Sequence, residues 1–299
     1  MQIILKWLPS LGARLSNERA AIWGRRVGWL LGSLLRYRRA EVERTLRRCL
    51  PNRSAAAYRA LSAGSYENLG RVIMETLQLT QLDRTWLERN VSLEGLEIIR
   101  QALSQGRGAL MLTAHLGHFQ LPAMIACFFE IPITVITKTV KPAILNDYWI
   151  QLRRRYQVKA VPHRGSFRAC LAALRANEML GFILDQNMKR HQGIFVDFFG
   201  RPACTSPGLA LLSAMAGSPV IPVFCTRRPD GHHQITVQPA LAPPPDRQPQ
   251  TIQRATQAYT AIIEAAIREH PEQWTWIHRR WRPQPLALDQ APSGQAPPP

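Results

Sequence analysis

Acidic residues are scarce in this chain: 20 Asp and Glu face 38 Lys and Arg, for a formal net charge of +18. That balance argues against a basic partner and for an anionic one: nucleic acid, an anionic lipid surface or an acidic protein. Lysine is rare beside arginine, and arginine suits forked contacts to phosphate or carboxylate. There is no Cys-x-x-Cys pair; the five cysteines, Cys49, Cys127, Cys170, Cys204 and Cys225, are scattered. An odd set of thiols in mostly apolar segments argues against a disulfide framework or a zinc site and fits reduced, buried cysteines in a cytosolic compartment. No run reaches the roughly 18–20 apolar residues of a transmembrane helix. Lys6 and Pro9 interrupt the apolar start, Met1 to Leu11, and no small-residue cleavage site follows it. No internal repeat is present.

What remains is enough for a full core: 299 residues, 46% of them apolar, as one domain or one domain with appendages. Residues 1–90 read as helical, with apolar residues at spacings of three and four from Ile22 to Leu35 and again from Leu61 to Leu77. Pro51-Asn-Arg-Ser54 breaks this region, and Ser54 is placed to cap the next helix. Residues 18–37 set Trp23, Trp29, Leu30, Leu34 and Leu35 among Arg19, Arg25, Arg26 and Arg36. This is the composition of an interfacial, monotopic membrane helix; the plainer reading is an amphipathic helix capping the core.

From residue 109 short apolar runs alternate with longer helical ones. The predicted strands are 109–113, 133–137, 158–161, 180–184, 194–198, 220–226 and 234–237. The predicted helices are 118–129, 142–156, 166–176, 206–216 and 251–269. Such alternation indicates an α/β fold: a mixed, largely parallel central sheet flanked by helices, here with a helical, membrane-associating N-terminal region. The expected divisions are 1–90 (helical), 91–283 (α/β) and 284–299, a Pro-, Gln- and Ala-rich tail of disordered composition.

His115 carries the most chemistry. It ends the apolar run Gly108-Ala-Leu-Met-Leu112, before Leu116-Gly117 turns the chain into a new segment. A histidine where a strand gives way to a helix sits at the rim of an α/β sheet, where such folds place their chemistry. A neutral imidazole there can take a proton from an attacking hydroxyl, given an acceptor that holds its Nδ1–H. Gln120, five residues on, can supply a side-chain oxygen once Gly117 turns the chain, but brings no charge. His118 makes a His-x-x-His pair, but no third ligand lies at a metal-binding spacing. Asp185, in Gly181-Phe-Ile-Leu-Asp-Gln-Asn187, also ends a predicted strand, and two polar strand ends of a parallel sheet can converge on one cleft. Its other reading is a loop aspartate capping a turn. Arg201 lies among aromatics in Phe198-Phe-Gly-Arg-Pro202, and Thr205 or Ser206 is placed to cap the helix after it. In Trp274-Thr-Trp-Ile-His-Arg-Arg-Trp-Arg282 three tryptophans alternate with His278, Arg279, Arg280 and Arg282. That pattern suits nucleic acid, a membrane interface, or a core-packed segment with a solvated Arg face.

Taken together, Leu112-Thr-Ala-His-Leu-Gly117, Asp185-Gln-Asn187, Phe198-Phe-Gly-Arg-Pro-Ala203 with Thr205, Gly217-Ser-Pro-Val-Ile-Pro-Val223 and His270-Pro-Glu-Gln-Trp-Thr-Trp-Ile-His-Arg-Arg-Trp281 resemble the bacterial lipid A biosynthesis (lauroyl/myristoyl) acyltransferase family, within the lysophospholipid acyltransferase superfamily. The likeness runs from about Arg38 to Pro283. It implies transfer of a fatty acyl chain from acyl carrier protein, or acyl-CoA, to a hydroxyl of an anionic membrane lipid. The acceptor would be a lipid A precursor or another glycolipid, met at the cytoplasmic face of the bacterial inner membrane. No cofactor, metal or nucleic acid is implied. His115 and Gln120 take the catalytic positions; Lys138, Arg164, Asp185, Arg201, Arg279 and Arg280 are expected to contact substrate. Two departures stand out: Gln120 replaces the family's Glu or Asp, and Ile136-Thr-Lys138 replaces a Tyr-Arg-Pro-like strand end. The first leaves open a catalytically degenerate, lipid- or membrane-binding paralogue.

Overall fold

The structure, a computed structural model, describes residues 15–285; the apolar start and nearly all of the tail lie outside them. Ser16 opens helix α1 (Asn17–Trp29) by accepting from the Arg19 N–H, and the helix continues into a wider π-helical turn, Leu30–Leu34. Helix α2 (Arg39–Cys49) follows. Helix α3 (Ala55–Gln78) starts at the expected place, where the Ser54 hydroxyl accepts from the Ala57 N–H. Helices α1 and α3 lie close because their contact is glycine. A Cβ at Gly28 would run into the Tyr66 carbonyl, and one at Gly70 into the Gly24 carbonyl. The glycine face turns inward, so the other face of α1 and its extension leave Trp23, Trp29, Leu34 and Leu35 exposed.

Beyond helix α4 (Arg84–Asn90) the chain builds its sheet. In chain order come β1 (Val91–Glu94), α5 (Leu96–Leu103), β2 (Ala109–Thr113), α6 (Leu121–Ile125), β3 (Ile133–Thr137), α7 (Ala143–Arg155), β4 (Lys159–Pro162), α8 (Phe167–Arg175) and β5 (Met179–Ile183). A hairpin of β6 (Ile194–Asp197) and β7 (Pro202–Thr205) follows, then α9 (Gly208–Ala216), β8 (Val220–Arg227), β9 (His233–Val237) and α10 (Pro249–Glu269). The seven-stranded order is β1-β9-β8-β2-β5-β3-β4. All its pairings are parallel except β8 with β9. Alternate residues of β2 feed the two halves of the core: Leu110 and Leu112 one side, Ala109 and Met111 the other. Burial on both faces is why the strand reads as a continuous apolar run.

The α/β class and its mixed, largely parallel sheet are therefore as the sequence predicts. Four elements differ. Helix α5 is not among the predicted helices; it occupies the short stretch between β1 and β2. Strand β1 and strand β7 carry too few apolar residues to stand out, and are made by pairing with β9 and β6. The helix expected over 118–129 begins only at Leu121, because the chain first runs extended across the end of β8. There the Gly117 N–H donates to the Gln273 carbonyl and the His118 N–H to Cys225. Gly117 has φ of +53°, and a Cβ there would strike the Cys225 carbonyl, so this crossing requires glycine.

Candidate active site

Strands β2 and β5 are paired with Thr113 opposite Ile183. Two residues past each of those ends stand His115 and Asp185, so the parallel register sets them side by side. The His115 ring Nδ1 lies 2.8 Å from Asp185 Oδ1. The other carboxylate oxygen, Oδ2, accepts from the His115 backbone N–H and from the Trp274 indole N–H, each at 2.8 Å. Burial would raise the Asp185 pKa, but the imidazole and these three hydrogen bonds hold it well below the usual carboxylate range. Burial would lower the His115 pKa, and the Asp185 charge and hydrogen bond reverse that, for a net rise above 6.5. With Nδ1–H donating to Asp185, Nε2 is left as the acceptor, and the Gln186 amide sits 3.1 Å from it. Phe119 and His278 flank the ring, with centroids 4.6 and 5.1 Å away.

The imidazole closes one end of an apolar cavity of about 300 Å³ between the sheet and helices α6 and α7. Met111, Met124, Val135, Gly181 and Ile183 supply its walls, and Lys138, at the end of β3, and Arg153, on α7, bring positive charge to it. On the other side of His278 a basic groove of about 340 Å³ is lined by Arg44, Arg48, Arg201, Arg279 and Arg282. An apolar slot, a basic approach and a carboxylate-held imidazole between them can bind an acyl chain, receive an anion and accept a proton.

Several expected roles change. Gln120 lines the apolar cavity but does not hold His115. Its side-chain oxygen faces Thr76 Oγ1 at 3.3 Å, because α6 begins at Leu121 and turns residue 120 toward α3. Asp185, expected at the substrate, is buried and fully engaged with His115 and Trp274. Arg280 is also buried; it donates to the Cys204 carbonyl and the Thr205 hydroxyl and stacks over Phe198. It anchors the β6–β7 hairpin at the wall of the basic groove. Trp274, Trp276 and Trp281 pack with Phe198 and Phe199 in the core, so they are not a membrane-facing aromatic belt. Of the remaining arginines, Arg201 and Arg279 line the basic groove, whereas Arg164 is exposed on the β4–α8 loop and does not line the cavity. Residues missed in the sequence include Trp274 as a partner of the carboxylate, and Gln186 and His278 beside the imidazole. Gln186 directly follows Asp185, and all three lie in segments that carry the family resemblance; these were the signals available. Among the described residues no group of three or more His, Cys, Asp or Glu is gathered to hold a metal.

A carboxylate-oriented imidazole at the head of an apolar slot, on the rim of a mostly parallel sheet, is the equipment of a general-base acyl-transferring enzyme. The chain belongs to the bacterial lipid A biosynthesis acyltransferase family, which matches it over residues 13–283. It is 29% identical over 269 residues to the lipid A biosynthesis lauroyltransferase of Escherichia coli K12, covering 87% of this chain and 85% of that one. To the palmitoleoyltransferase of the same organism it is 26% identical over 266 residues, 88% and 85% of the two chains. A phosphatidylinositol mannoside acyltransferase of Mycobacterium tuberculosis is 26% identical over 247 residues, 81% and 76% of the two. Among solved structures, the 1-acyl-sn-glycerophosphate acyltransferase PlsC of Thermotoga maritima aligns with a TM-score of 0.41 at 15% identity, covering 86% and 97%. The protein is thus an acyltransferase acting on a lipid.

Proposed function

We propose that this enzyme moves a fatty acyl chain from a carrier thioester, on acyl carrier protein or coenzyme A, to a hydroxyl of an anionic membrane lipid such as a lipid A precursor or another glycolipid. The observation that carries the reading is His115, held by Asp185 and opening onto the apolar cavity. The acyl chain lies in that cavity with its thioester carbonyl near Nε2. The acceptor hydroxyl displaces the Gln186 amide, gives its proton to Nε2, and its oxygen attacks the carbonyl carbon. The tetrahedral intermediate collapses, the C–S bond breaks, and the imidazolium returns the proton to the leaving sulfur. An ester and a free thiol result. Asp185 sets the tautomer and offsets the charge of the imidazolium.

Anionic groups of donor and acceptor are met by Lys138 and Arg153 at the cavity and by Arg201 and Arg279 in the groove. The work is placed at the cytoplasmic face of the bacterial inner membrane, with the exposed Trp23, Trp29, Leu34 and Leu35 in the interface. Among the described residues no helix is long and apolar enough to cross a membrane. Asp185 supplies the charge that Gln120 lacks, which favours turnover over a catalytically degenerate paralogue. The test is release of thiol from an acyl carrier protein thioester and from acyl-CoA by the detergent-solubilised full chain, with and without a glycolipid acceptor. Acceptor-dependent release with ester formation is expected; thioester stable in every lipid tried, at normal lipid binding, would establish the degenerate reading.

A further inference from the structure

A second cavity, of about 560 Å³, lies on the same rim of the sheet beyond β8. Its lining comes from α1 (Arg25), α3 (Arg71 and Glu75), α4 (Arg89), the crossing from β2 to α6 (His118) and the start of β9 (His233). It shares a wall with the active-site cavity: on α3, Glu75 faces this pocket while the next residue, Thr76, meets Gln120 in the other.

The polar groups here are not settled among themselves. Glu75 is spent on Arg227, which grips both its oxygens and also donates to Asn68. Arg71 Nε lies 3.4 Å from a Glu67 carboxylate oxygen on the same helix, and Arg25 and Arg89 share the lining with Glu18 and Asp230. His118 and His233 are 1% and 4% exposed, with ring centroids 5.6 Å apart. Among the described residues neither ring nitrogen of His118 nor His233 Nδ1 has a hydrogen-bond partner. Burial holds both imidazoles neutral, pushing His118 down to about 4 and His233 to about 3. Buried polar atoms are almost always paired, and orphans clustered round one cavity call for an occupant.

We infer that this pocket binds a phosphorylated polyol or sugar headgroup. Guanidinium forks match phosphate oxygens. A neutral imidazole offers one donor and one acceptor, which suits a hydroxyl rather than a bare anion. The cavity is in the range of small-molecule sites, with room for far more than one phosphate ion. The outward face of α1, with Ile22 and Trp23 exposed, borders it, so a lipid's headgroup can enter while its chains stay in the membrane interface. The inference rests on the proposed lipid acceptor, and it adds a headgroup site that is separate from the histidine.

Calorimetric titration of the full chain in detergent with glucose 1-phosphate, inorganic phosphate and glucose tests it. Glucose 1-phosphate is expected to bind at least tenfold more tightly than either other probe. Arg71→Gln, and Arg89→Gln at an exposed position that leaves folding intact, should each weaken that binding at least fivefold. His115→Ala should leave it unchanged, which separates this site from the catalytic reading. No saturable binding of glucose 1-phosphate, or binding unaltered in both arginine variants, overturns the proposal. Inorganic phosphate binding as tightly as glucose 1-phosphate overturns the headgroup and assigns the pocket to free phosphate.

Discussion

Nδ1 of His115 stands 2.8 Å from Oδ1 of Asp185, across 70 residues of sequence, because β2 and β5 are neighbours in register and both overrun their last pair by two residues. The acid that orients the histidine thus comes from the adjacent strand and not from the histidine's own motif. Trp274 fixes the far oxygen of the same carboxylate, tying the tryptophan-rich segment to the chemistry through one indole N–H.

His115→Ala should lower acyl transfer by ~10²–10⁴-fold, the range of general-base loss, while circular dichroism and the urea midpoint stay near wild type. The side chain is at a rim and packs mainly on Phe119 and His278. A folded variant with near-normal turnover would remove His115 from the mechanism.

Asp185→Asn tests the pair through pH. In its proposed role as base His115 works only when neutral, so turnover should rise with pH through its pKa, which Asp185 holds above 6.5. Removing the charge should move that midpoint to lower pH and also lower the plateau, by roughly tenfold or more, as a charge-assisted bond of ~1.5–3 kcal/mol is lost. Plateau loss with an unmoved midpoint would mean that Asp185 only supports the fold.

Gln120 is the place where the sequence motif misleads. Its oxygen faces Thr76, so Gln120→Glu adds no partner to the histidine. Turnover of Gln120→Glu and Gln120→Leu should stay within about threefold of wild type, under ~0.7 kcal/mol in barrier. A tenfold gain for the glutamate variant would return Gln120 to the imidazole.

The sheet was legible because its strands are continuous apolar runs buried on both faces, and because caps such as Ser54 announce their helices. His115 and Asp185 were both visible as polar strand ends, and their convergence was open to expectation. Which acid served the histidine was not, since spacing along the chain cannot report which strand lies next in the sheet. Arg280 and the three tryptophans misled for a related reason. An Arg/Trp run has the same composition whether it meets solvent, lipid or the core, and only the aromatic pair Phe198–Phe199, brought across by the β6–β7 hairpin, decides that it packs inward.

Membrane attachment should therefore depend on α1 and its extension rather than on the tryptophan segment. Trp29→Ser with Leu34→Ser and Leu35→Ser should weaken binding to anionic vesicles by at least tenfold, given ~1.5–3 kcal/mol for each large apolar side chain fully buried. Sedimentation should also show wild-type binding falling as salt rises, because arginine attraction to anionic lipid is screened. Equal binding of the triple variant and wild type would place the contact elsewhere.

The last prediction concerns acid. His118 and His233 are buried and neutral, with pKa values pushed from 6.5 down to about 4 and about 3. The unfolded chain binds protons at these residues from 6.5 downward while the folded chain does not. Their contribution to stability is therefore whole above pH 6.5 and is lost as pH falls toward those folded values. At pH 5 the loss is on the order of 2 kcal/mol for each imidazole. Glu75 and Asp185, both held low, remain ionised there and contribute their own losses only below their ordinary values of 4.5 and 3.8. His278, also held low, adds to this loss, whereas His115, held high by Asp185, opposes it as pH falls. The two deeply buried imidazoles outweigh His115, so the urea midpoint should fall between pH 7.5 and pH 5, in buffers without phosphate. His233→Phe keeps a ring against Trp86 and His118 and removes one titrating group, so its midpoint should fall clearly less far than that of wild type. A midpoint that is flat over this range, or an equal fall in wild type and His233→Phe, would show that these imidazoles are not the neutral, buried pair on which the second pocket depends.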